Sequence, residues 1–234
     1  WRLRSYPDRL FNEYGFGLDR RRIPPAVVRR TFLDWWSRNQ NPGISLPEQQ
    51  RTTVALFVDT FSNYFEPAQA IATALLANRM GAQVVVPEQV CCGRPLISKG
   101  MLDAAQQQAA RTPATLFPLA AQDIPILFCE PGCYSAVVDD HPHLLRGAEQ
   151  ERAIQVANHC QTFEQWAAKT HLTLQPELQF STGPEQILVH GHCHQKALTG
   201  TRSMVELLNA IPGSTVTELD TGCCGMAGSF GLSL

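Results

Sequence analysis

Two adjacent pairs of cysteines are the residues of this chain with the clearest capacity for chemistry. Cys91-Cys92 and Cys223-Cys224 are each followed by glycine, so the triplet Cys-Cys-Gly occurs twice. Glycine lets the backbone turn tightly enough for both thiols of a pair to face one site. Thiolates are preferred ligands of zinc and of the iron in iron–sulfur clusters. The repeated triplet therefore indicates soft-metal binding, in preference to buried core cysteines or to a catalytic dithiol, which would favour C-x-x-C.

The remaining cysteines differ in their surroundings. Cys129 and Cys133 have the spacing C-x3-C, and Cys193 lies within the segment His190–His194, where histidine alternates with other residues. The period of two would place these histidines on one face of a strand, although the segment leads from a predicted strand into a loop. His194, directly after Cys193, is the histidine that we expect first as a metal ligand. Cys160 precedes a helical pattern and is predicted to be a buried, unreactive thiol.

The hydrophobic pattern indicates the elements that position these cysteines. Apolar strand-like runs alternate with helical patterns, which is typical of parallel βαβ units and of an α/β fold. The predicted strands are 54–59, 83–87, 124–128, 186–190 and 214–219, and the predicted helices are 67–79 and one near 202–209. The cysteines follow strands, so we expect them at the carboxyl edge of a sheet, where α/β proteins gather functional groups.

The order strand, helix, strand and Cys-Cys-Gly occurs twice, which predicts an internal duplication. Thr60 stands after the first strand of the first copy, where the second copy has Cys193. We predict three regions: an N-terminal helical, arginine-rich extension over 1–50, a first module over 51–150 and a second module over 151–234. A run that resembles a metal site, Asp139–His143, is interpreted as a solvated turn because Pro142 should end the preceding helix.

Composition excludes several function classes. The 19 basic and 21 acidic residues give a net charge of −2, which provides no general attraction to nucleic acid or anionic lipid. No apolar run approaches the roughly 20 residues needed to span a bilayer. Many thiols without a secretory signal favour a reducing, cytoplasmic location, and we expect any association with a membrane to come through partner proteins.

Six segments of this sequence form long motifs: Leu56–Phe61, Tyr64–Pro67, Cys91–Gly100, Glu130–Cys133, His192–Leu198 and Gly222–Gly231. Together they resemble the cysteine-rich CCG domain. The resemblance is strongest to the C-terminal module of FAD-linked D-lactate and D-2-hydroxyglutarate dehydrogenases. Its relatives include the iron–sulfur subunit of glycolate oxidase, the C subunit of anaerobic glycerol-3-phosphate dehydrogenase and the B subunit of heterodisulfide reductase.

The resemblance implies two tandem modules that bind iron–sulfur clusters of the 4Fe-4S type. The residues that it implies as ligands are Cys91, Cys92, Cys129, Cys133, Cys193, Cys223 and Cys224, with His194 as a second-rank candidate. This sequence departs from the family pattern at Thr60, at the C-x3-C spacing of the first module, and in having no closing cysteine pair after Cys224. A structural role for the first module therefore stays open.

The resemblance further implies an electron-transfer module of a flavin-linked 2-hydroxy-acid dehydrogenase or oxidase that is not catalytic alone. FAD would be held only in a partner domain or subunit, and a ferredoxin-like iron–sulfur domain would be a second partner. Two alternatives stay open at this point. One is a zinc-binding structural and docking module, and the other is a heterodisulfide-type thiol/disulfide redox subunit.

Overall fold

Two parallel sheets with surrounding helices form the fold of this chain, in a computed structural model that describes residues 10, 13–15, 19, 21, 25–40, 51–174 and 180–225. The segment Met226–Gly231 of the resemblance lies outside the described residues. The predicted α/β fold with parallel strands is confirmed. No helix in the described part of the chain is long and apolar enough to cross a membrane.

The first sheet has the strand order β2-β1-β3-β4, with every neighbouring pair parallel. Its central strand β1 pairs with β2 from Thr52 opposite Ala82, and with β3 from Ala55 opposite Ile126. Its strands and helices in chain order are β1 (Thr52–Phe57), α2 (Thr60–Tyr64), α3 (Pro67–Arg79), β2 (Ala82–Val85), α4 (Arg94–Ser98), α5 (Leu102–Ala120), β3 (Ile126–Phe128), α6 (Pro131–Ser135), α7 (His141–Leu144), α8 (Gly147–His159), β4 (Cys160–Thr162) and α9 (Phe163–Leu174). A π-helix, Ala136–Asp140, connects α6 to α7.

Side chains alternate across β1 and create two hydrophobic cores, one on each face of the sheet. Val54 and Leu56 belong to one core, which also receives α3 and the short N-terminal helix α1 (Phe32–Trp36). Ala55 and Phe57 belong to the other core, which contains α5 and α6. The cysteines of this part of the chain divide between the two faces, with Cys129 on one and Cys92 and Cys133 on the other.

The second sheet contains two strands, β5 (Gln186–Val189) and β6 (Thr215–Glu218), which are parallel. Two helices lie between them in sequence, α10 (Cys193–Leu198) and α11 (Arg202–Asn209). The order β5, α10, α11, β6, Cys-Cys-Gly repeats the order β1, α2, α3, β2, Cys-Cys-Gly. Thr60 and Cys193 are each the first residue of the helix that follows the first strand, which agrees with the predicted correspondence.

Two local predictions from the sequence are wrong. Asp139–His143 is helical and not a solvated turn: Pro142 occupies an early position of α7, where its missing N–H needs no partner, and His141 is fully buried. Cys193 begins a helix and not a loop, with His192 as its N-cap residue. The ring nitrogen of His192 accepts a hydrogen bond from the backbone N–H of His194, at 3.2 Å, which favours the helical turn over a loop.

Candidate metal centre

The carboxyl edge of the first sheet brings together three of the thiols that the sequence singles out. Cys91 and Cys92 follow β2, and Cys133 lies in α6 after β3. The Cys92 Sγ–H donates to the Sγ atom of Cys133 at 2.8 Å, and the thiols of Cys91 and Cys92 are also hydrogen-bonded. Cys92 and Cys133 are buried, whereas Cys91 is exposed. We call these three residues the first thiol cluster.

A cavity of about 690 Å³ opens onto the first thiol cluster. Its wall combines apolar groups with a few polar and charged ones, as is usual for a binding cavity. The residues that line it are Asp59, Thr60, Phe61, Cys91, Cys92, Arg94, Pro95, Ser98, Lys99, Glu130, Gly132, Cys133, His192 and His194.

Local helix capping positions Cys133. The side chain of Glu130, the N-cap residue of α6, accepts a hydrogen bond from the backbone N–H of Cys133 at 2.5 Å. A Cβ atom at Gly132 would lie 3.0 Å from the Glu130 carboxylate, so glycine leaves room for this close cap. The acidic N-cap therefore fixes the first turn of α6 and with it the direction of the Cys133 thiol.

Cys129 lies apart from the first thiol cluster. Its Sγ atom is 3.2 Å from the hydroxyl of Thr73, and it packs against the core on the face of the sheet opposite to Cys92 and Cys133. The alternation of β3 explains this placement, because Leu127 and Cys129 point to one face and Phe128 to the other. Cys160 is buried, as predicted, and its thiol donates to the carbonyl of Val156.

The environment holds the buried thiols in their protonated form. The hydrogen bond from Cys92 by itself lowers the pKa of Cys133, but burial and the carboxylates of Glu130 and Asp59 raise that pKa to about 11. Burial raises the pKa of Cys129 to about 12. Soft metals bind thiolates, so binding at the first thiol cluster would release protons.

A second group of thiols lies at the carboxyl edge of the second sheet. The thiols of Cys193 and Cys223 are hydrogen-bonded, and Cys224 follows directly in the chain. The backbone N–H of Gly225 donates to the Sγ atom of Cys223 at 3.4 Å. All three cysteines are exposed. We call them the second thiol cluster.

The histidines near Cys193 face the first module. The Nδ1 atom of His194 is 2.8 Å from the hydroxyl of Ser135 in α6, and the rings of His192 and His194 stack at 5.5 Å. Burial lowers the pKa of His194, and the charge of Arg94 lowers it further. His194 is therefore placed as a neutral contact between the two halves, with one ring nitrogen engaged by Ser135.

The thiols of the first thiol cluster are soft donors of the kind that both zinc and iron–sulfur clusters take. Across the described ranges, no three His, Cys, Asp or Glu side chains are arranged to hold one metal ion. The cysteine ligands of a cluster bind different irons and need not converge on one point.

Residues 54–137 match the sequence family described as the cysteine-rich domain, CCG. The match begins within β1 and contains the first Cys-Cys-Gly turn and Cys133. This segment is similar to the CCG domain along its matched length.

Two relatives extend the similarity beyond the CCG domain. The C subunit of anaerobic glycerol-3-phosphate dehydrogenase from Escherichia coli (strain K12) is 28% identical over 227 residues, which is 96% of this chain and 55% of that protein. Lactate utilization protein A of Bacillus thuringiensis (strain Al Hakam) is 27% identical over 187 residues, which is 77% of this chain and 75% of that protein. The chain thus spans about half the length of the first relative, which is a component of a dehydrogenase.

Sequence reasoning missed several residues around the first thiol cluster. Asp59 and Arg94 line the cavity, and His141 contacts the backbone of Cys92. Asp59 is the N-cap of α2, a signal that its position directly before Thr60 and after a strand could have provided. His141 lies in the run Asp139–His143, which the sequence pattern assigned to a solvated turn, and its contact depends on helix α7, which that pattern did not predict.

The buried carboxyl of Asp59 leads to a prediction about pH. It accepts hydrogen bonds at Oδ1 from the N–H groups of Phe61 and Ser62, yet burial outweighs these bonds and raises its pKa above the ordinary 3.8. The folded state therefore keeps this proton to higher pH than the unfolded state. The stability that Asp59 contributes is complete below pH ~3.8 and is lost as pH rises through the folded pKa.

Asp59→Asn retains an acceptor for both N–H groups and cannot ionise. We expect its stability relative to the wild type to increase between pH 4 and pH 7, measured by urea unfolding at several pH values. Asp59→Ala removes the helix cap and should cost about 1 kcal/mol at low pH, and less as pH rises because the wild type then loses the contribution of Asp59. A stability difference between the wild type and Asp59→Asn that does not change with pH would contradict the interpretation.

The second thiol cluster predicts an order of thiol reactivity. The hydrogen bond from Gly225, followed by that from Cys193, lowers the pKa of the exposed Cys223 thiol. In metal-free, reduced, native protein, iodoacetamide should therefore modify Cys223 first, and Cys160 among the last because it is buried. Peptide mass spectrometry at timed intervals measures this order, and denatured protein, in which all sites are accessible, is the control. Equal rates at Cys160 and Cys223 in native protein would refute it.

Proposed function

We propose that this chain is an iron–sulfur electron-transfer module that works with a flavin-linked 2-hydroxy-acid dehydrogenase or oxidase. Electrons would come from a flavin held in a partner domain or subunit and pass to an acceptor. A ferredoxin-like iron–sulfur domain would be the second partner. The bound cluster, of the 4Fe-4S type, supplies one-electron redox capacity that thiols alone lack.

The convergence of Cys91, Cys92 and Cys133 within the segment similar to the CCG domain is the observation that carries the proposal. Hydrogen bonding within the cluster and burial raise the pKa values of Cys91 and Cys92, and burial raises that of Cys133 against the hydrogen bond from Cys92, so a soft metal cation would be needed to hold these groups as thiolates. We assign the second thiol cluster to a second module over 151–234, the first cluster to a module over 51–150, and the region 1–50 to an extension. The names of the relatives support a role as one component of a dehydrogenase system.

We expect a cytoplasmic location, since all eight cysteines are free and a reducing compartment keeps them so. Any contact with a membrane would come through the partner proteins. This location would also favour retention of an oxygen-sensitive cluster.

Metal and acid-labile sulfide analysis of protein purified without oxygen tests the proposal. We expect iron and sulfide in similar amounts, and a broad visible absorption that dithionite bleaches. The Cys223→Ser, Cys224→Ser double variant tests the second cluster, and Cys160→Ser is the control because that thiol lies outside both clusters. Zinc without sulfide would reject electron transfer in favour of a structural and docking module, and turnover of a small disulfide would favour thiol/disulfide chemistry.

A further inference from the structure

Side chains behind the first Cys-Cys-Gly turn hold its backbone carbonyls. The carbonyl of Cys91 accepts hydrogen bonds from Gln108 Nε2 and Thr112 Oγ1, both at 2.8 Å and both from α5. The carbonyl of Cys92 is 2.8 Å from His141 Nε2. None of these three side chains belongs to the thiol motif, yet together they fix the backbone from which two thiols project.

The tautomer of His141 follows from its partner. A carbonyl oxygen only accepts hydrogen bonds, so Nε2 must carry the hydrogen. The ring is fully buried, and its Nδ1 atom has no hydrogen-bond partner among the described residues. Burial lowers the pKa of His141, which agrees with a neutral ring. A buried ring nitrogen without a partner costs stability, so the single hydrogen bond from Nε2 is the polar contact that favours the histidine at this position.

That hydrogen bond orients a neighbouring donor. The carbonyl of Cys92 and the N–H of Gly93 belong to one planar peptide group and point in opposite directions. With the oxygen held by His141, the Gly93 N–H points to the other side of the turn. There it donates to the Sγ atom of Cys91 at 3.4 Å. Gly93 has φ of +78°, a conformation that favours glycine and completes the turn.

We propose that His141 is a positioning residue that acts through the Cys92–Gly93 peptide to aim an N–H donor at the Cys91 sulfur, and thereby raises the reduction potential of the bound centre. The inference rests on the proposed function. Reduction adds negative charge to a cluster and its thiolates, and an N–H···S hydrogen bond stabilises that charge. A residue that never touches the metal would thus adjust its potential.

The second Cys-Cys-Gly turn provides an internal comparison. Gly225 has φ of +76°, and its N–H donates to the Cys223 sulfur at 3.4 Å, as in the first turn. In the second turn, the carbonyls that bond to side chains belong to residues before the Cys-Cys pair. His190 Nε2 contacts the carbonyl of Gly222, and Lys196 Nζ donates to the carbonyl of Thr221. The N–H···S bond thus occurs in both turns, and in the first turn the buried histidine additionally fixes the peptide group that carries the donor.

Three variants of the full chain test the role of His141. His141→Leu removes the donor, whereas His141→Gln keeps an N–H at a similar distance from the backbone. His143→Leu is the matched control, because His143 lies on the same short helix with its side chain 80% exposed. EPR-monitored redox titration should show a lower midpoint potential for His141→Leu, a value close to wild type for His141→Gln, and no change for His143→Leu.

Iron content accompanies each titration and separates a shift in potential from a loss of the cluster. An unchanged potential in fully loaded His141→Leu would overturn the proposal. If His141→Leu does not load, the His141→Gln protein decides. Loading with a wild-type potential supports the proposal, whereas a lowered potential or a failure to load contradicts it, since this variant keeps the donor.

Hydrogen exchange of the Gly93 amide in metal-free protein tests the orientation without any cluster. A typical hydrogen bond contributes about 0.5–1.5 kcal/mol. We therefore expect Gly93 to exchange roughly two- to tenfold faster in His141→Leu than in wild type, with Gly225 unchanged. If the wild type holds no iron, the proposed function fails, while this measurement still supports or overturns the orienting role of His141.

Discussion

Cys133→Ser is expected to lose the iron of the first module, whereas Cys129→Ser is expected to retain it. Cys133 lies on the cavity with its Sγ atom 2.8 Å from that of Cys92. Cys129 lies on the opposite face of the sheet with its Sγ atom 3.2 Å from the Thr73 hydroxyl. Loss of a residue that only hydrogen-bonds a metal ligand commonly costs 10–100-fold in metal affinity, so loss of a direct ligand should cost at least about 100-fold.

The two substitutions form a matched pair. Both replace a largely buried thiol by the nearly isosteric hydroxyl, at positions four residues apart in the C-x3-C motif. A general effect of serine on folding would therefore affect both variants. Iron and sulfide per chain, measured on anaerobically purified protein, is the primary readout, and thermal unfolding of the metal-free proteins checks that both fold. Loss of iron in Cys129→Ser as well would restore the four-thiol set implied by the family resemblance.

The sequence was sufficient to predict the elements with a regular pattern. Helix Pro67–Arg79 and the alternation of apolar strands with helices are confirmed, because short continuous apolar runs separated by longer helical patterns are typical of parallel βαβ units. The correspondence between Thr60 and Cys193 also agrees with the structure, since both begin the helix after a module's first strand. Local hydrophobic patterns and the repeated order of elements were thus enough to predict most of the strands and their alternation with helices.

The parts that were missed depend on tertiary contacts. Helix α5 contains Pro113 and Pro118, which local rules assign to helix ends, yet Pro113 is buried against the core and the helix continues. Proline-based reasoning also failed at Asp139–His143, where Pro142 starts a helix. Side chains that approach the thiols from these helices, such as Gln108 and His141, could therefore not be placed from sequence.

Spacing also cannot tell on which face of a sheet a cysteine projects. Cys129 and Cys133 look equivalent in the C-x3-C motif. One thiol is directed by the alternation of β3 and the other by the first turn of α6, so they project to opposite faces. A shift of one residue at the junction of strand and helix would exchange such directions, which is information that the residue types do not contain.

Arg94→Met is expected to lower the free energy of unfolding by about 2 kcal/mol. The guanidinium donates from Nε to the Gly132 carbonyl at 3.2 Å and from Nη2 to the Ser135 hydroxyl at 2.8 Å, and it pairs with Asp140. The side chains of the ion pair are only 19% and 25% exposed. Exposed pairs are worth under ~1 kcal/mol, and breaking a buried pair costs ~3–5 kcal/mol, so an intermediate cost is expected.

Thermal and urea unfolding measure this loss, with an expected fall in Tm of roughly 4–8 °C for a chain of this length. Arg202→Met is the matched control, because Arg202 pairs with Glu206 while 88% exposed and should change stability by less than about 0.5 kcal/mol. Arg94→Lys should recover only part of the loss, since lysine cannot reproduce the planar fork of donors. Equal stability of Arg94→Met and wild type would exclude a structural role for the pair.

The consequence of this loss should extend to the second half of the chain. Ser135 receives the Arg94 donor and also contacts His194, so one hydroxyl joins the residue after the first Cys-Cys-Gly to the residue after Cys193. Without Arg94, the Ser135 hydroxyl loses the donor that fixes it, and the His194 ring then contacts a hydroxyl that is less firmly held. A double-mutant cycle with His194→Ala should then give a coupling energy of about 0.5–1 kcal/mol, whereas strict additivity would mean that the two halves are held together elsewhere.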